Sequence, residues 1–201
     1  LIIHLGMSGS IKVVSGDTPL KKHDHFELGL ANESVMRLND PRRFGAVLFS
    51  KDGSYPLLDS LGVEPLENEF DDTYLYSRSR KKQQNIKAFI MDSKIVVGVG
   101  NIYACESLHQ AGINPERKAS SISKKRYALL TQCIKTILTQ AIKAGGTTLQ
   151  DFSQVDGSPG YFAQTLSVYG CEGKPCTICN GKISRIIQNQ RSTFYCKQCQ
   201  T

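Results

Sequence analysis

The sequence predicts an α+β protein in which strands come first, helices follow and a short cysteine-rich module ends the sequence. Apolar and polar residues alternate over much of 1–50, as they do in half-buried strands. Apolar residues recur every three or four positions over 123–144, which is typical of a helix that buries one face. Two Cys-x-x-Cys pairs lie within 176–199. These three patterns indicate three parts with different local structures.

The first part contains several predicted strands separated by turns. The alternation is clearest around Ile11 and Val13, and "SGDTP" and "ANES" are typical turn sequences. "VMRLNDPRRFGAVLF" predicts a further strand, interrupted by a loop at Asp40-Pro41. Residues 51–66 are rich in Gly and Pro, which indicates a linker.

The second part is predicted to be helical over 67–145. The longest helix is expected from Ser123, a plausible N-cap, to Ala144, with Gly145 just beyond its end. "NIYACESLHQAG" predicts a helix that is capped by Asn101, and "SRSRKKQQNIK" leads into a shorter one. The stretch 150–170 mixes Gly, Ser and Pro with aromatic residues, and a loop of this length is more often functional or mobile than idle.

The charge is positive and unevenly distributed. The net charge is +7, and residues 65–150 contribute +6 from 13 basic and 7 acidic residues. This distribution indicates either a polyanionic partner such as nucleic acid or a solvated basic face. No apolar run reaches the roughly 20 residues that a membrane-spanning helix needs, and no basic segment precedes Leu1-Ile2-Ile3. We therefore expect a cytoplasmic, monomeric protein without a membrane partner.

The cysteine spacing indicates a metal site. Cys176 and Cys179 form one Cys-x-x-Cys pair, and Cys196 and Cys199 form the second. Four thiolates presented by two tight turns suit the tetrahedral coordination of a single structural Zn²⁺ ion. Two disulfides are the alternative, which a cytoplasmic location disfavours. Cys171 is a possible substitute ligand with a poorer spacing.

Between the cysteine pairs the sequence has room for two short strands and a turn. The turn should expose residues 188–191, including Arg191. An arginine on a rigid hairpin can bind a phosphate or enter a DNA groove, but it can equally be a solvated surface residue.

Six ordered motifs carry a resemblance to a known family. They are "HLGMSG", "DPRRFG", "VVGVGNIYACES", "GGTTLQDF", "GYFAQTLSVYG" and the four-cysteine finger. Together they closely resemble bacterial formamidopyrimidine-DNA glycosylase, over essentially the whole sequence. That family removes oxidised purines, such as 8-oxoguanine and formamidopyrimidines, from duplex DNA by flipping the damaged base out of the stack. It then cuts the strand at the abasic site by β,δ-elimination.

The resemblance implies an architecture and a location. Residues 1–64 would be the remainder of a β-sandwich-like N-terminal domain, and 65–150 a helix–two-turns–helix domain. Residues 151–170 would form a lesion-recognition loop, and 171–201 the zinc hairpin. The expected partner is damaged double-stranded DNA, which implies a nucleoid-associated repair enzyme.

The resemblance also implies site residues. Met7, Arg42 and Phe44 match the residues that fill the space left by the flipped base, a task suited to two apolar wedges and one hydrogen-bond donor. Asn101 and Arg191 match residues that bind the phosphates at the lesion, and Arg191 is assigned a part in the second elimination. Further candidate DNA contacts, for which an ordinary surface or supporting role stays open, are His4, His23, Lys82 and Lys87.

The family's nucleophile is not among these residues. It is the α-amine of an N-terminal proline, assisted by a glutamate and a lysine, whereas this sequence starts at Leu1. We expect the intact protein to be a glycosylase and abasic-site lyase, and the 201 residues alone to be inactive. The alternatives are a non-catalytic zinc protein that binds damaged DNA, a zinc-ribbon protein that binds nucleic acid without damage specificity, and an oxidised-pyrimidine glycosylase like endonuclease VIII.

Overall fold

The computed structural model of the protein describes residues 1–6, 8–146 and 166–201. The chain packs as two compact units. Unit 1 comprises Leu1–Pro56 with Ala141–Gln164, and unit 2 comprises Leu57–Gln140 with Thr165–Thr201. The first division falls inside the segment that the sequence predicts to be a linker.

Unit 1 contains two small antiparallel sheets. One pairs β1 with β5, and the other has the strand order β2-β4-β3. The strands are β1 (Ile2–His4), β2 (Ser10–Ser15), β3 (Asp24–Gly29), β4 (Ser34–Asn39) and β5 (Ala46–Leu48). The segment expected to be one interrupted strand is thus two strands, β4 and β5, in different sheets. The loop between them redirects the chain, with Pro41 unable to donate a ladder hydrogen bond and Arg43 at a φ of 55°.

Two loops of unit 1 lie side by side because β1 pairs with β5. His4 is opposite Ala46, so the loop after β1 runs beside the loop before β5. Gly6, at a φ of 64°, lies directly against the backbone of Phe44, and an added Cβ would lie 2.6 Å from the Phe44 carbonyl carbon. The close approach of these loops therefore depends on a residue without a side chain.

Unit 2 is mainly helical. Its elements are α1 (Pro56–Asp59), α2 (Asp72–Ser79), α3 (Ile86–Ile90), α4 (Asn101–Gln110), a 3-10 turn (Ala119–Ser121) and α5 (Lys124–Lys143). The first residue of α1 and the last three residues of α5 belong to unit 1. The helix expected over 123–144 is confirmed as α5, and Gly145 follows it in the left-handed conformation at a φ of 72°. Helix α4 begins one residue earlier than predicted, because Gly100 is its N-cap and Asn101, the predicted cap, is its first helical residue.

The core of unit 2 lies among these helices. Phe89, Leu108, Tyr127 and Leu130 are fully buried in it. Arg80 reinforces the core, because its guanidinium stacks on the Tyr76 ring and donates to the backbone carbonyls of the turn before α5. Among the described residues, no helix is both long and apolar enough to cross a membrane.

A two-stranded hairpin completes unit 2. Strands β6 (Ile183–Gln188) and β7 (Arg191–Cys196) pair antiparallel, with Gln188 opposite Arg191. The two turn residues, Asn189 and Gln190, have φ values of 48° and 59°, as a type I′ turn requires. The α+β class and the order of strands, helices and hairpin are confirmed.

Substitution of Gly6 by alanine should destabilise unit 1. The substituted residue would have to keep a left-handed φ and also push its Cβ into the Phe44 backbone. Gly53→Ala is the matched control, because Gly53 has a φ of 83° but its added Cβ meets nothing within 4 Å. We expect Gly53→Ala to cost about 1–2 kcal/mol from backbone strain alone and Gly6→Ala to cost more. Urea unfolding followed by circular dichroism measures both, and equal costs would contradict the close packing of the two loops.

Candidate zinc centre and nucleic-acid interface

The four cysteines of the two Cys-x-x-Cys pairs converge at the base of the hairpin. Their Sγ atoms all lie within 4.8 Å of one another. The Sγ atoms of Cys176 and Cys199 are 3.7 Å apart, and those of Cys179 and Cys196 are 3.5 Å apart. A tetrahedral zinc with Zn–S bonds of about 2.3 Å places its sulfurs at about 3.8 Å from one another, so the four thiols fit one zinc ion.

The alternatives left open by the spacing are decided by this geometry. All seven cysteines are free thiols, so the two-disulfide arrangement is not present. Cys171 lies outside the cluster of four and packs beside it, with its thiol directed at the Tyr169 carbonyl. The residues present therefore suit a single structural zinc, which would hold the ends of β6 and β7 together.

The residues after β7 attach the finger to the turn that follows α4. Gln200 is buried, its Nε2 donates to the carbonyl of Ile113 and its Oε1 accepts from the Cys196 N–H, each at 2.8 Å. Arg126 on α5 donates to the carbonyls of Gly112 and Thr201. The finger is therefore bonded to the helices by side chains as well as by packing.

The carbonyl of Ser192, the residue after Arg191, accepts hydrogen bonds from two helices. Asn101 Nδ2 on α4 lies 3.0 Å from it and Lys87 Nζ on α3 lies 3.3 Å from it. Lys87 Nζ also donates to Thr193 Oγ1 at 2.6 Å. These contacts fix the start of β7, and with it the backbone that carries the exposed Arg191.

A polar cavity of about 200 Å³ lies between α3 and the hairpin tip. Its lining includes Asn85, Lys87, Gln188, Asn189 and Arg191. Two cations and three carboxamides form a donor-rich surface of the kind that binds phosphate oxygens. Burial lowers the pKa of Lys87, and the nearby positive charge of Arg191 lowers it further. An anion in this cavity would relieve the repulsion between the two side chains.

The burial of Lys87 favours the supporting role that the sequence left open for it. Its side chain is 2% exposed, and its ammonium bonds to β7. It acts in this structure as a positioning residue, with two of its three ammonium hydrogens bonded to the Ser192 carbonyl and Thr193 Oγ1. Contact of Lys87 with DNA stays a prediction.

The first turn of α4 offers a second place for an anion. The N–H groups of a helix's first turn have no helical partner, and Gly100 leaves this end open. Asn101 Nδ2 also donates to the hydroxyl of Tyr169 at 3.3 Å, while its buried Oδ1 has no hydrogen-bond partner among the described residues. Sequence reasoning missed Tyr169, whose ring stacks edge-on against Phe194.

Glu106 on α4 is a second residue that sequence reasoning missed. Its carboxylate is buried and accepts the backbone N–H groups of Ser167, Val168 and Tyr169 at 2.8–3.0 Å. Three donors compensate the burial of the carboxylate. Glu106 thereby fixes the chain just after the predicted lesion-recognition loop, most of which, 151–165, lies outside the described residues. The residues around Glu106 in the sequence give no sign that its carboxylate binds backbone N–H groups 61–63 positions away.

In unit 1, Arg42 and Phe44 lie on the loop before β5, beside the loop after β1. Arg42 Nε donates to Ser8 Oγ at 2.9 Å, and the Phe44 side chain is 60% exposed. Met7 lies outside the described residues, but its neighbours Gly6 and Ser8 both contact the Arg42–Phe44 loop. The ring of Phe44 is therefore accessible, and its role as a wedge stays a prediction.

The other candidate contacts are dispersed. His4 is exposed at the end of β1, and its Nδ1 accepts from the Gly6 N–H. His23 precedes β3 and packs edge-on against His25. Lys82 is exposed in the basic stretch between α2 and α3. None of these positions excludes DNA contact, which stays a prediction for each residue.

Known proteins match the chain along its length. The formamidopyrimidine-DNA glycosylase N-terminal domain matches residues 1–47, the H2TH domain of that glycosylase matches 61–153, and the zinc finger found in FPG and IleRS matches 173–201. The formamidopyrimidine-DNA glycosylase of Ruthia magnifica is 76% identical over 201 residues, which cover 100% of this chain and 75% of that protein.

Solved structures with the same fold contain DNA. A Lactococcus lactis FPG mutant in complex with Fapy-dG containing DNA superposes with a TM-score of 0.89 at 34% identity, covering 99% of this chain and 74% of that one. The wild-type Lactococcus lactis FPG in complex with oxidised-pyrimidine containing DNA superposes with a TM-score of 0.87 at 34% identity, covering 99% and 73%.

Loss of one ligand should release the metal without unfolding the helices. Cys196→Ser replaces a thiolate by a hydroxyl that binds zinc poorly, so we expect loss of the single zinc ion, while α4 and α5 stay folded on their own core. Cys171→Ser is the control, because Cys171 adjoins the finger but lies outside the cluster. Zinc content and the helical circular dichroism signal are measured on both. Zinc loss in Cys171→Ser would contradict the assigned ligand set.

Proposed function

Because the chain belongs to the formamidopyrimidine-DNA glycosylase family, we propose that the protein excises oxidised purines from duplex DNA and cleaves the strand at the resulting abasic site. The expected substrates are 8-oxoguanine and formamidopyrimidines. The structural zinc organises the hairpin and takes no part in the chemistry.

The arrangement around Arg191 is the observation that carries this proposal. A donor-rich cavity with two cations adjoins the hairpin tip, and the Ser192 carbonyl is bonded to both Asn101 and Lys87. A phosphate at Arg191 would meet donors that are in position before it arrives, so little ordering is needed on binding. This supports recognition of the DNA backbone at the lesion by Arg191, with the first turn of α4 and Tyr169 nearby.

Unit 1 would supply the residues that replace the flipped base. Flipping costs a few kcal/mol of stacking and pairing, and an apolar wedge offsets part of that cost by filling the gap. Phe44 is exposed for this task, and Arg42 would donate hydrogen bonds to the unpaired partner base. We extend the same role to Met7 from the family pattern.

Arg191 would also act in strand cleavage. β,δ-Elimination breaks the sugar's bonds to the phosphates on both sides of the abasic site, and each departing phosphate gains negative charge. A guanidinium beside the second phosphate stabilises that charge as the bond breaks. In this family the nucleophilic amine that opens the sugar belongs to the N-terminal proline.

Oxidised pyrimidines are the second candidate substrate class. This class is supported by the similarity of the chain to the Lactococcus lactis FPG, one solved complex of which contains oxidised-pyrimidine DNA. Release of 8-oxoguanine and of thymine glycol from otherwise identical duplexes separates the two classes. We expect faster release of 8-oxoguanine.

Borohydride trapping tests the proposed chemistry. Duplexes with 8-oxoguanine or an abasic site are incubated with residues 1–201 and with the product of the complete open reading frame that encodes them. We expect the complete product to release the base and to be trapped covalently, and residues 1–201 alone to bind without trapping. No trapping or base release by the complete product would favour a non-catalytic damage-binding protein. Trapping by residues 1–201 would mean that an amine within them is the nucleophile.

Arg191→Ala should weaken binding to abasic-site duplex on the order of 10-fold or more, since a charge-assisted phosphate contact contributes about 1.5–3 kcal/mol. The dependence of log Kd on log salt should fall by about 1. Arg185→Ala is the matched control, because Arg185 lies on β6 of the same hairpin and pairs with Glu172.

Both arginine variants should keep their zinc, and Arg185→Ala should bind nearly as well as the unmodified protein. Equal losses of affinity in the two variants would mean that the hairpin attracts DNA only through its net charge. Zinc loss in Arg191→Ala would make Arg191 structural.

A further inference from the structure

His109 lies against a zinc ligand from a different element of the fold. It belongs to the last turn of α4, its side chain is 1% exposed, and its Nε2 lies 3.3 Å from Cys176 Sγ. Cys176 is buried to the same extent. The contact joins residues 67 positions apart, and nothing in the cysteine spacing predicts it.

The ring of His109 can only be a donor in this contact when zinc is bound. A zinc-bound cysteine is a thiolate, which accepts hydrogen bonds and cannot donate. His109 does not belong to the cluster of four ligand atoms, so it does not replace a thiolate. The Ile178 N–H also points at Cys176 Sγ, at 3.4 Å, so the thiolate would accept two N–H groups.

The other ring nitrogen also supports the tautomer of His109 that carries its hydrogen on Nε2. Nδ1 is buried and has no hydrogen-bond partner among the described residues. A hydrogen on Nδ1 would be an orphaned buried donor, and it would turn the Nε2 lone pair toward the thiolate's lone pairs. A hydrogen on Nε2 leaves only an unpaired acceptor, which buried sites tolerate better.

We propose that His109 is a positioning residue for the zinc centre, donating Nε2–H to the Cys176 thiolate. Four thiolates around one Zn²⁺ ion carry a net charge of −2, and N–H donors stabilise that charge where water is excluded. The same bond ties the end of α4 to the finger, and Asn101 at the other end of α4 bonds to β7. The proposal requires zinc in the finger and is independent of which lesion the protein recognises.

Two substitutions separate the hydrogen bond from packing. His109→Phe keeps a planar ring and removes the N–H, whereas His109→Gln can present an amide N–H near the position of Nε2. We expect His109→Phe to release zinc to a chelator on the order of 10-fold faster, and His109→Gln to restore most of the difference. Equally fast release from both variants would assign the effect to packing and overturn the proposal, as would release from both at the unmodified rate.

Cobalt substitution gives a signature that packing alone would not move. A thiolate that loses a hydrogen bond is more electron-rich, so the sulfur-to-cobalt charge-transfer band should move to lower energy in His109→Phe and return in His109→Gln. An unchanged band in His109→Phe would overturn the proposal.

A measurement on the unmodified zinc protein remains decisive even if a variant fails to fold. Nitrogen NMR of the His109 ring should find the hydrogen on Nε2, and in the cadmium-substituted protein that hydrogen should couple to the metal through the sulfur. A hydrogen on Nδ1 would contradict the inference. Neither readout involves DNA, so failure here is distinct from failure of the proposed glycosylase activity.

Discussion

The docking of the zinc hairpin onto α4 is the constraint on which the position of Arg191 depends. Asn101 begins this helix and bonds to the start of β7, and Gln200 bonds to Ile113 just beyond the helix's end. A helix of 10 residues is about 15 Å long, so the hairpin is held at two well-separated points. It cannot rotate on the helix without breaking buried hydrogen bonds, and the position of Arg191 follows from that attachment.

The attachment explains why a small hairpin can present a side chain accurately. Two strands alone are marginally stable in water, and the small core beside this hairpin includes Cys105 of α4. The zinc site would hold one end, while the carbonyl of Ser192, held by Asn101 and Lys87, secures the other. Asn101 and Lys87, which the sequence predicted to contact DNA, thus fix the backbone next to Arg191.

In unit 1, two loops hold the backbone of an exposed side chain in place without a metal. Pairing of β1 with β5 brings two loops together, and Gly6 lets them approach at backbone distance. The bond from Arg42 to Ser8 then connects the loops, and Phe44 stays largely exposed. The two loops thus hold the backbone of Phe44 in place while its ring stays accessible.

The sequence by itself determined the features that depend on near neighbours: the order of strands, helices and finger, helix α5, and the zinc ligands. A Cys-x-x-Cys turn and a helical period are local, so one stretch of chain is enough to specify each. Only the tertiary structure decided that Lys87 is buried against Thr193, 106 positions away, and that Glu106 holds Tyr169, 63 positions away. It also separated β4 and β5 into different sheets. These outcomes depend on which distant backbone groups need a partner once the chain has packed, and no local pattern encodes that need.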